Sequence, residues 1–147
     1  MNAFVIRRAH AADYRPILAL INSEGLPMQD VTVEQIPRFH VAVLGDASLV
    51  GCVAFEQFGS DALLRSLAVA HGARRQGVGH ALVETAERDA VCNGIRRLVL
   101  LNATAAAWFA SIGYRGFDRA VVPDRLLATS QFASLCPASA TCMVKNL

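Results

Sequence analysis

The sequence has 147 residues, of which 54% are apolar and 18% are charged, and its formal net charge is +2. The length fits one domain, residues 1–147, with a real core, and the composition excludes a disordered chain. The small net charge gives no reason to expect a nucleic-acid partner, and no apolar run has the length of a membrane span, so we expect no membrane partner either. The N-terminus lacks a signal-peptide layout, which leads us to expect a cytoplasmic protein.

Hydrophobic periodicity and turn residues predict alternating strands and helices. We expect Asp13 to cap a first helix that ends before Gly25, with an apolar face formed by Tyr14, Ile17, Leu18 and Ile21. The predicted strands are 4–8, 39–44, 48–58, 62–69, 97–101, 114–118 and 141–144, and the later helices are 31–36, 77–92, 104–111 and 123–135.

Strand 62–69, helix 77–92 and strand 97–101 follow one another at a spacing typical of a parallel strand pair with a right-handed crossover. The helix has its apolar stripe at positions 78, 81, 82, 85 and 86. Together the elements predict an α/β fold, with a mixed, mostly antiparallel sheet of about seven strands wrapped by helices. The turn after strand 62–69 then lies at the carboxyl end of a strand, where α/β folds place ligands.

That turn is the most informative stretch of the chain. The first amides of a helix lack intrahelical partners and carry partial positive charge. Glycines let a phosphate approach the backbone closely, and arginines add charge and donors. We interpret the turn as a pyrophosphate site; the alternative is a surface turn whose glycines only cap the helix. It consists of Arg74, Arg75, Gln76, Gly77, Val78 and Gly79, followed by His80.

The pattern of Arg74, Gly77 and Gly79 resembles the coenzyme A pyrophosphate loop of the GNAT superfamily of N-acetyltransferases. The resemblance covers nearly the whole chain and implies the acyl-CoA N-acyltransferase fold, with acetyl-CoA as co-substrate. It implies that the backbone of Leu67, Ala68 and Val69 pairs with the pantetheine arm, and that Asn102, Trp108 and Phe109 belong to a second motif that contacts the cofactor. A homodimer is compatible with this family, and the sequence does not decide it.

A narrower resemblance joins strand 62–69 to the segment 132–140, which contains Leu135, Cys136, Pro137 and Ser139. These two stretches are similar to the arsenic-resistance N-acetyltransferase subfamily. The resemblance implies a small amino-acid-like amine as the acceptor, in particular an arsenic-containing or related toxic amino acid. An ordinary amino acid such as glutamate is the alternative, because its acid group would use the same anchor.

Three residues are the candidate catalytic group: Glu56, Arg65 and Ser66. Glu56 can take the proton of the amine as a base, or it can be a solvated carboxylate. Arg65 stands in an otherwise apolar strand, where an unpaired charge is costly. It can anchor the acid group of the substrate, or it can form a structural ion pair with Glu56 or Asp61. Ser66 precedes Leu67 to Val69, whose backbone amides can polarise the thioester carbonyl if the strand is splayed from its neighbour, or can simply pair within the sheet.

Phe109 departs from the family, because many members have a tyrosine there that protonates the departing thiolate. We expect Tyr114 to be a core residue, and Trp108 to be core or a wall of the pantetheine channel. These features leave a rival class open, a degenerate acyl-CoA-binding protein.

The four cysteines lack the CxxC spacing of a zinc site, so we expect no metal and free thiols. Cys136 and Cys142 can bind a metalloid through thiolates, or they can be two small buried residues. A thiol-based metalloid sensor is therefore a further rival.

Overall fold

Seven strands and four α-helices account for most of the regular structure in a computed structural model, which describes residues 3–135 and 139–147. The strands are β1 (Phe4–Arg8), β2 (Phe39–Leu44), β3 (Leu49–Phe58), β4 (Asp61–Val69), β5 (Arg97–Asn102), β6 (Arg115–Gly116) and β7 (Thr141–Asn146). The helices are α1 (Tyr14–Ser23), α2 (Val78–Cys92), α3 (Ala106–Ser111) and α4 (Asp124–Leu127). The strands form one mixed sheet in the order β1-β2-β3-β4-β5-β7-β6, which confirms the predicted fold class.

Shorter turns connect these elements. The segments Ala11–Asp13, Val33–Arg38, His71–Ala73 and Arg119–Val121 are 3₁₀ helices, and Gln131–Leu135 is a π-helical turn. Across the part of the chain that the structure describes, no helix combines the length and apolar character needed to cross a membrane.

The chain divides into two compact units, and β3 and β4 each contribute residues to both. The first unit comprises residues 1–55 and 66–88. In it, β2 pairs antiparallel with β1 and with β3, with an irregularity between Ala42 and Val43. Its core packs Ile17 and Ile21 of α1 with residues of β2 and β3, such as Phe39 and Cys52. The predicted face of α1 is correct except that Leu20 is also buried.

The second unit comprises residues 56–65 and 89–147. Here β4 pairs in parallel with β5 from Asp61↔Arg97 to Leu63↔Val99, as the strand–helix–strand spacing predicted. Strand β7 is antiparallel to both β5 and β6. The core of this unit consists of Leu63, Val99, Val122, Leu126, Phe132, Cys142 and Val144.

Several boundaries differ from the prediction for local reasons. The predicted helix 123–135 is two short helical pieces, and between them the Thr129 hydroxyl donates to the Leu126 carbonyl at 2.7 Å. The predicted strand 114–118 is reduced to Arg115–Gly116. Pro37 lies inside the 3₁₀ segment rather than after it.

The expected cap of α1 is also wrong, because Asp13 makes no side-chain cap bond to that helix. Its carboxylate instead accepts two hydrogen bonds from Arg7, at 2.7 and 3.0 Å, and one from the His10 amide. The Arg7 guanidinium is the main reason that the pKa of Asp13 lies below its usual value.

Candidate active site

The turn between β4 and α2 leaves several backbone amides without intrahelical acceptors. Arg75 and Gly77 both have positive φ, at 66° and 82°, and α2 begins at the next residue. The first bond of the helix runs from the Ala81 amide to the Gly77 carbonyl at 3.0 Å. By helix geometry the amides of Val78, Gly79 and His80 then have no acceptor within the helix. The glycines of the turn and the helix periodicity together predicted this start to within one residue.

Gly77 keeps the space beside these amides open. Among the described residues, no heavy atom outside its chain neighbours lies within 4 Å of the place where a Cβ on Gly77 would stand. Val78 is buried, so only its backbone amide can serve a ligand. An exposed, positively polarised helix start with an open glycine is suited to an anion.

The polar side chains of the loop differ in their contacts. Arg75, Gln76 and His80 are exposed to solvent. The Arg74 side chain is half exposed, and its guanidinium forms an ion pair with Glu24, the residue that follows α1. The Arg74 Nε also lies 3.5 Å from the Val69 carbonyl, which ends β4. The sequence could not reveal the Glu24 contact, because its partners are 50 residues apart.

Strand β4 has a left-handed residue just before the predicted pantetheine stretch. Ser66 has a φ of 58°, a conformation that costs a residue other than glycine about 1 kcal/mol or more. Its carbonyl accepts from the Cys52 thiol at 3.3 Å. Burial raises the pKa of Cys52 to about 12, so the thiol keeps its proton as a donor. After this residue Ala68 is buried in the core, while Leu67 and Val69 are half-buried.

Gly51 allows a close approach of α2 to β3 that the sequence analysis did not predict. A Cβ there would stand 2.8 Å from Leu82 Cδ1 and 2.9 Å from Val78 Cγ1, so the first turns of α2 pack directly on the β3 backbone. An isolated glycine inside a predicted strand is the signal that could have indicated this approach. The predicted stripe of α2 is partly right: Val78, Leu82 and Ala86 are buried. Ala81 and Thr85 are only partly buried, and Val83 and Ala90 are buried as well.

In the second unit, Arg65 and Glu56 form a buried ion pair. Arg65 Nη1 lies 2.6 Å from Glu56 Oε1, and the exposed fractions of the two side chains are 3% and 20%. Asp61, the other partner considered for Arg65, instead binds Arg97 at 2.7 and 3.2 Å. The structure thus shows the ion pair that was one of the two interpretations of Arg65. Because strand side chains alternate, Arg65 shares its face with Leu63, a member of the apolar cluster of this unit.

Asn102, Trp108 and Phe109 lie around the start of α3. The Asn102 side chain accepts from the Ala105 amide at 3.0 Å and so shapes the turn between β5 and α3. Phe109 is buried and makes edge contacts with Trp108 and Tyr114, at centroid distances of 4.9 and 5.6 Å. Tyr114 is buried, which confirms its expected place in the core, whereas Trp108 is 37% exposed, so the core interpretation of Trp108 is wrong.

Three free cysteines are described: Cys52 and Cys142 are buried and Cys92 is exposed. Burial also raises the pKa of Cys142, with Arg119 acting in the opposite direction. The proposed partner of Cys142 in a metalloid site, Cys136, lies outside the described residues. Within the described ranges 3–135 and 139–147, no group of three or more His, Cys, Asp or Glu side chains could hold a metal ion.

Comparison with known proteins supplies the family. Residues 36–116, more than half of the chain, match the family described as acetyltransferase (GNAT) domain. The chain therefore belongs to the GNAT acetyltransferase domain family. This confirms the predicted superfamily and, at the level of the family, the predicted enzyme class.

Solved structures with the same fold include complexes with coenzyme A. N-acetylglutamate synthase from Neisseria gonorrhoeae, solved with coenzyme A and N-acetylglutamate, is 25% identical, with a TM-score of 0.86 over 99% of this chain and 35% of that one. The same synthase with coenzyme A and L-arginine gives 26% identity and a TM-score of 0.82, over 98% of this chain and 33% of that one. This chain thus spans about a third of the synthase.

Rv2747 from Mycobacterium tuberculosis, solved with coenzyme A and NLQ, is 22% identical, with a TM-score of 0.83 over 97% of this chain and 99% of that one. At this identity the likeness supports the fold alone. The arsenic-resistance subfamily does not appear among these matches, and the resemblance to it stays a prediction.

Proposed function

We propose that this protein transfers an acetyl group from acetyl-CoA to the amine of a small amino-acid-like acceptor that carries an acid group. The proposal is carried by one observation: the half-buried end of β4 leads into an open, basic helix start at Gly77. A thioester donor with a diphosphate needs both parts, an anion site for its phosphates and a strand backbone for its pantetheine arm.

In this proposal the diphosphate accepts hydrogen bonds from the amides of Val78, Gly79 and His80. Arg74, Arg75 and Gln76 add side-chain donors. The pantetheine amides pair with the backbone of Leu67, Ala68 and Val69. The contributions of Asn102, Trp108 and Phe109 are carried over from the family resemblance.

The reaction forms a bond between the amine nitrogen and the thioester carbonyl carbon and breaks the bond from that carbon to sulfur. Backbone amides beyond Ser66 stabilise the developing oxyanion. Glu56 receives the proton that the amine loses, and Arg65 binds the acid group of the acceptor. Because the two side chains bind each other, an acceptor carboxylate that engages Arg65 would release Glu56 for proton transfer. Phe109 has no proton to give the thiolate, so water or the positive end of α2 stabilises it.

Glutamate is the first acceptor to test. The N-acetylglutamate synthase of Neisseria gonorrhoeae has the same fold at 25–26% identity, and one of its two structures holds N-acetylglutamate. An arsenic-containing amino acid with an acid group is the second, on the resemblance of strand 62–69 and the segment 132–140. Both would place a negatively charged group on Arg65, so the fold does not choose between them.

Thiol release from acetyl-CoA, followed with a panel of amines, tests the proposal. We expect turnover with acidic amino acids and little with simple amines of the same size. Arg65→Lys should reduce kcat/KM for acidic acceptors more than for simple amines, because a lysine cannot bind a carboxylate with two parallel hydrogen bonds. Tight acetyl-CoA binding without turnover across the whole panel would instead identify a binding protein.

A further inference from the structure

The Arg74 side chain is held at two points, both in the first unit. Its guanidinium pairs with Glu24, and its Nε lies 3.5 Å from the Val69 carbonyl. Arg74 thereby connects the end of α1 with the end of β4, while its own side chain remains 51% exposed. A guanidinium has five N–H donors in a planar fork, so these two contacts leave donors for a further ligand.

Glu24 is itself firmly placed. Its amide donates to the Leu20 carbonyl at 3.1 Å, and the next turn is closed by the Gly25 amide on Asn22 and the Leu26 amide on Ile21. The Glu24 side chain is only 14% exposed, although it carries a charge. A carboxylate held on ordered backbone at the end of a helix can fix the direction of the arginine that it binds.

Glu24 is negatively charged and lies beside an arginine that is proposed to bind an anion, so its effect on anion binding has two opposing parts. By charge alone, a carboxylate beside a phosphate-binding arginine should weaken the binding of an anion. An exposed arginine without a partner, however, loses much rotamer freedom when a ligand orders it. A carboxylate that orders the side chain beforehand removes part of that cost from the binding step. The two effects predict opposite results for the removal of Glu24.

We propose that Glu24 is a positioning residue for the cofactor, which acts on the diphosphate through Arg74 and makes no contact with the cofactor itself. This inference rests on the proposed function, since it takes acetyl-CoA as the ligand of the loop. It assigns to the end of α1 a part in cofactor affinity that lies outside the glycine-containing turn.

The experiment measures acetyl-CoA binding by calorimetry for the wild-type protein, Glu24→Gln, Arg74→Ala and the double variant. We expect Glu24→Gln to weaken acetyl-CoA about fivefold, which corresponds to one side chain that is no longer ordered in advance. The same change should have no further effect in the Arg74→Ala background. Glu34→Gln removes the same charge from an exposed position in the first turn of the segment Val33–Arg38 and serves as the matched control, with wild-type affinity.

A truncated donor separates positioning from a general structural effect. S-acetylpantetheine lacks the diphosphate, so its use by the enzyme in the thiol-release assay should be equal in Glu24→Gln and wild type. A melting temperature within a few degrees of wild type should accompany this result.

Unchanged or tighter acetyl-CoA binding in Glu24→Gln would overturn the inference while leaving the proposed function standing. A loss that persists without Arg74, or one that is equally large for S-acetylpantetheine, would also overturn it. If the wild-type protein itself does not bind acetyl-CoA, the proposed function fails and the inference fails with it.

Discussion

The helix start at Gly77 and the Glu56–Arg65 pair place their charges in opposite surroundings. The first uses backbone amides and exposed side chains such as Arg75, at a place open to solvent. The second buries a guanidinium to 3% exposure on a strand face shared with apolar side chains. An exposed anion site is sensitive to backbone conformation and salt, whereas a buried pair is sensitive to the loss of either partner. This contrast predicts which substitutions damage binding and which damage the fold.

The largest effect should come from breaking the buried pair. Arg65→Met keeps most of the side-chain volume but leaves Glu56 without this cation, and we expect a loss of about 3 kcal/mol in the free energy of unfolding. The matched control is Arg97→Met on the neighbouring strand, whose pair with Asp61 is more exposed and should cost about 1 kcal/mol. Urea denaturation measures both. Equal losses would show that burial does not distinguish the two pairs.

The next effect concerns the packing that sets the start of α2. Gly51→Ala would bring a methyl group within 3 Å of Leu82 and Val78, so we expect a loss of about 2 kcal/mol and an acetyl-CoA KM raised about threefold as the first turn of α2 shifts. Gly45→Ala is the control, since a Cβ there meets no heavy atom of the described chain within 4 Å. Wild-type KM in a destabilised Gly51→Ala would show that this packing serves stability and not the loop.

Sequence reasoning did well where the signal is local. The helix start at 77–78 followed from two glycines and a 3.6-residue period, and strand 39–44 was predicted at its observed bounds. It was less successful for ion pairs whose partners are set by the pairing of strands in the folded sheet. Arg65 had two acidic neighbours within reach in sequence, and only the pairing of the folded strands assigns it to Glu56 while Asp61 goes to Arg97.

Three other features of the structure have no pattern in the sequence that would predict them. Ser66 is not a residue type that indicates positive φ, so its conformation could not be predicted. The Glu24–Arg74 pair joins the end of a helix to a loop 50 residues later, a contact that no local pattern encodes. The exposure of Trp108 also depends on how α3 packs. The sequence of so short a helix does not distinguish a buried apolar residue from an exposed one.

A third prediction uses two glycines with the same backbone conformation. Gly77 and Gly94 have φ of 82° and 80°, and both have room for a methyl group among the described residues. Alanine at either site should cost about 1 kcal/mol of stability through backbone strain. Only Gly77→Ala should raise the KM for acetyl-CoA, about tenfold, because it fills the space beside the amides that are proposed to bind the phosphates. A KM that rises equally in both variants would mean that strain, and not the loss of an anion site, is responsible.

The smallest effect is the response to salt, and it tests the contrast between the two regions directly. Raising the ionic strength from 0.05 to 0.5 M shortens the screening length to a few ångströms, so we expect the Kd for acetyl-CoA at the exposed loop to rise about threefold. The stability cost of Arg65→Met should change much less over the same range, because salt screens a pair weakly when one side chain is only 3% exposed. Calorimetry and urea denaturation at matched salt concentrations give the two responses. If the Kd for acetyl-CoA does not change with ionic strength while the stability cost of Arg65→Met decreases as salt is added, the assignment of the exposed and buried charges is reversed. Screening by salt acts most strongly on charges that lie in solvent.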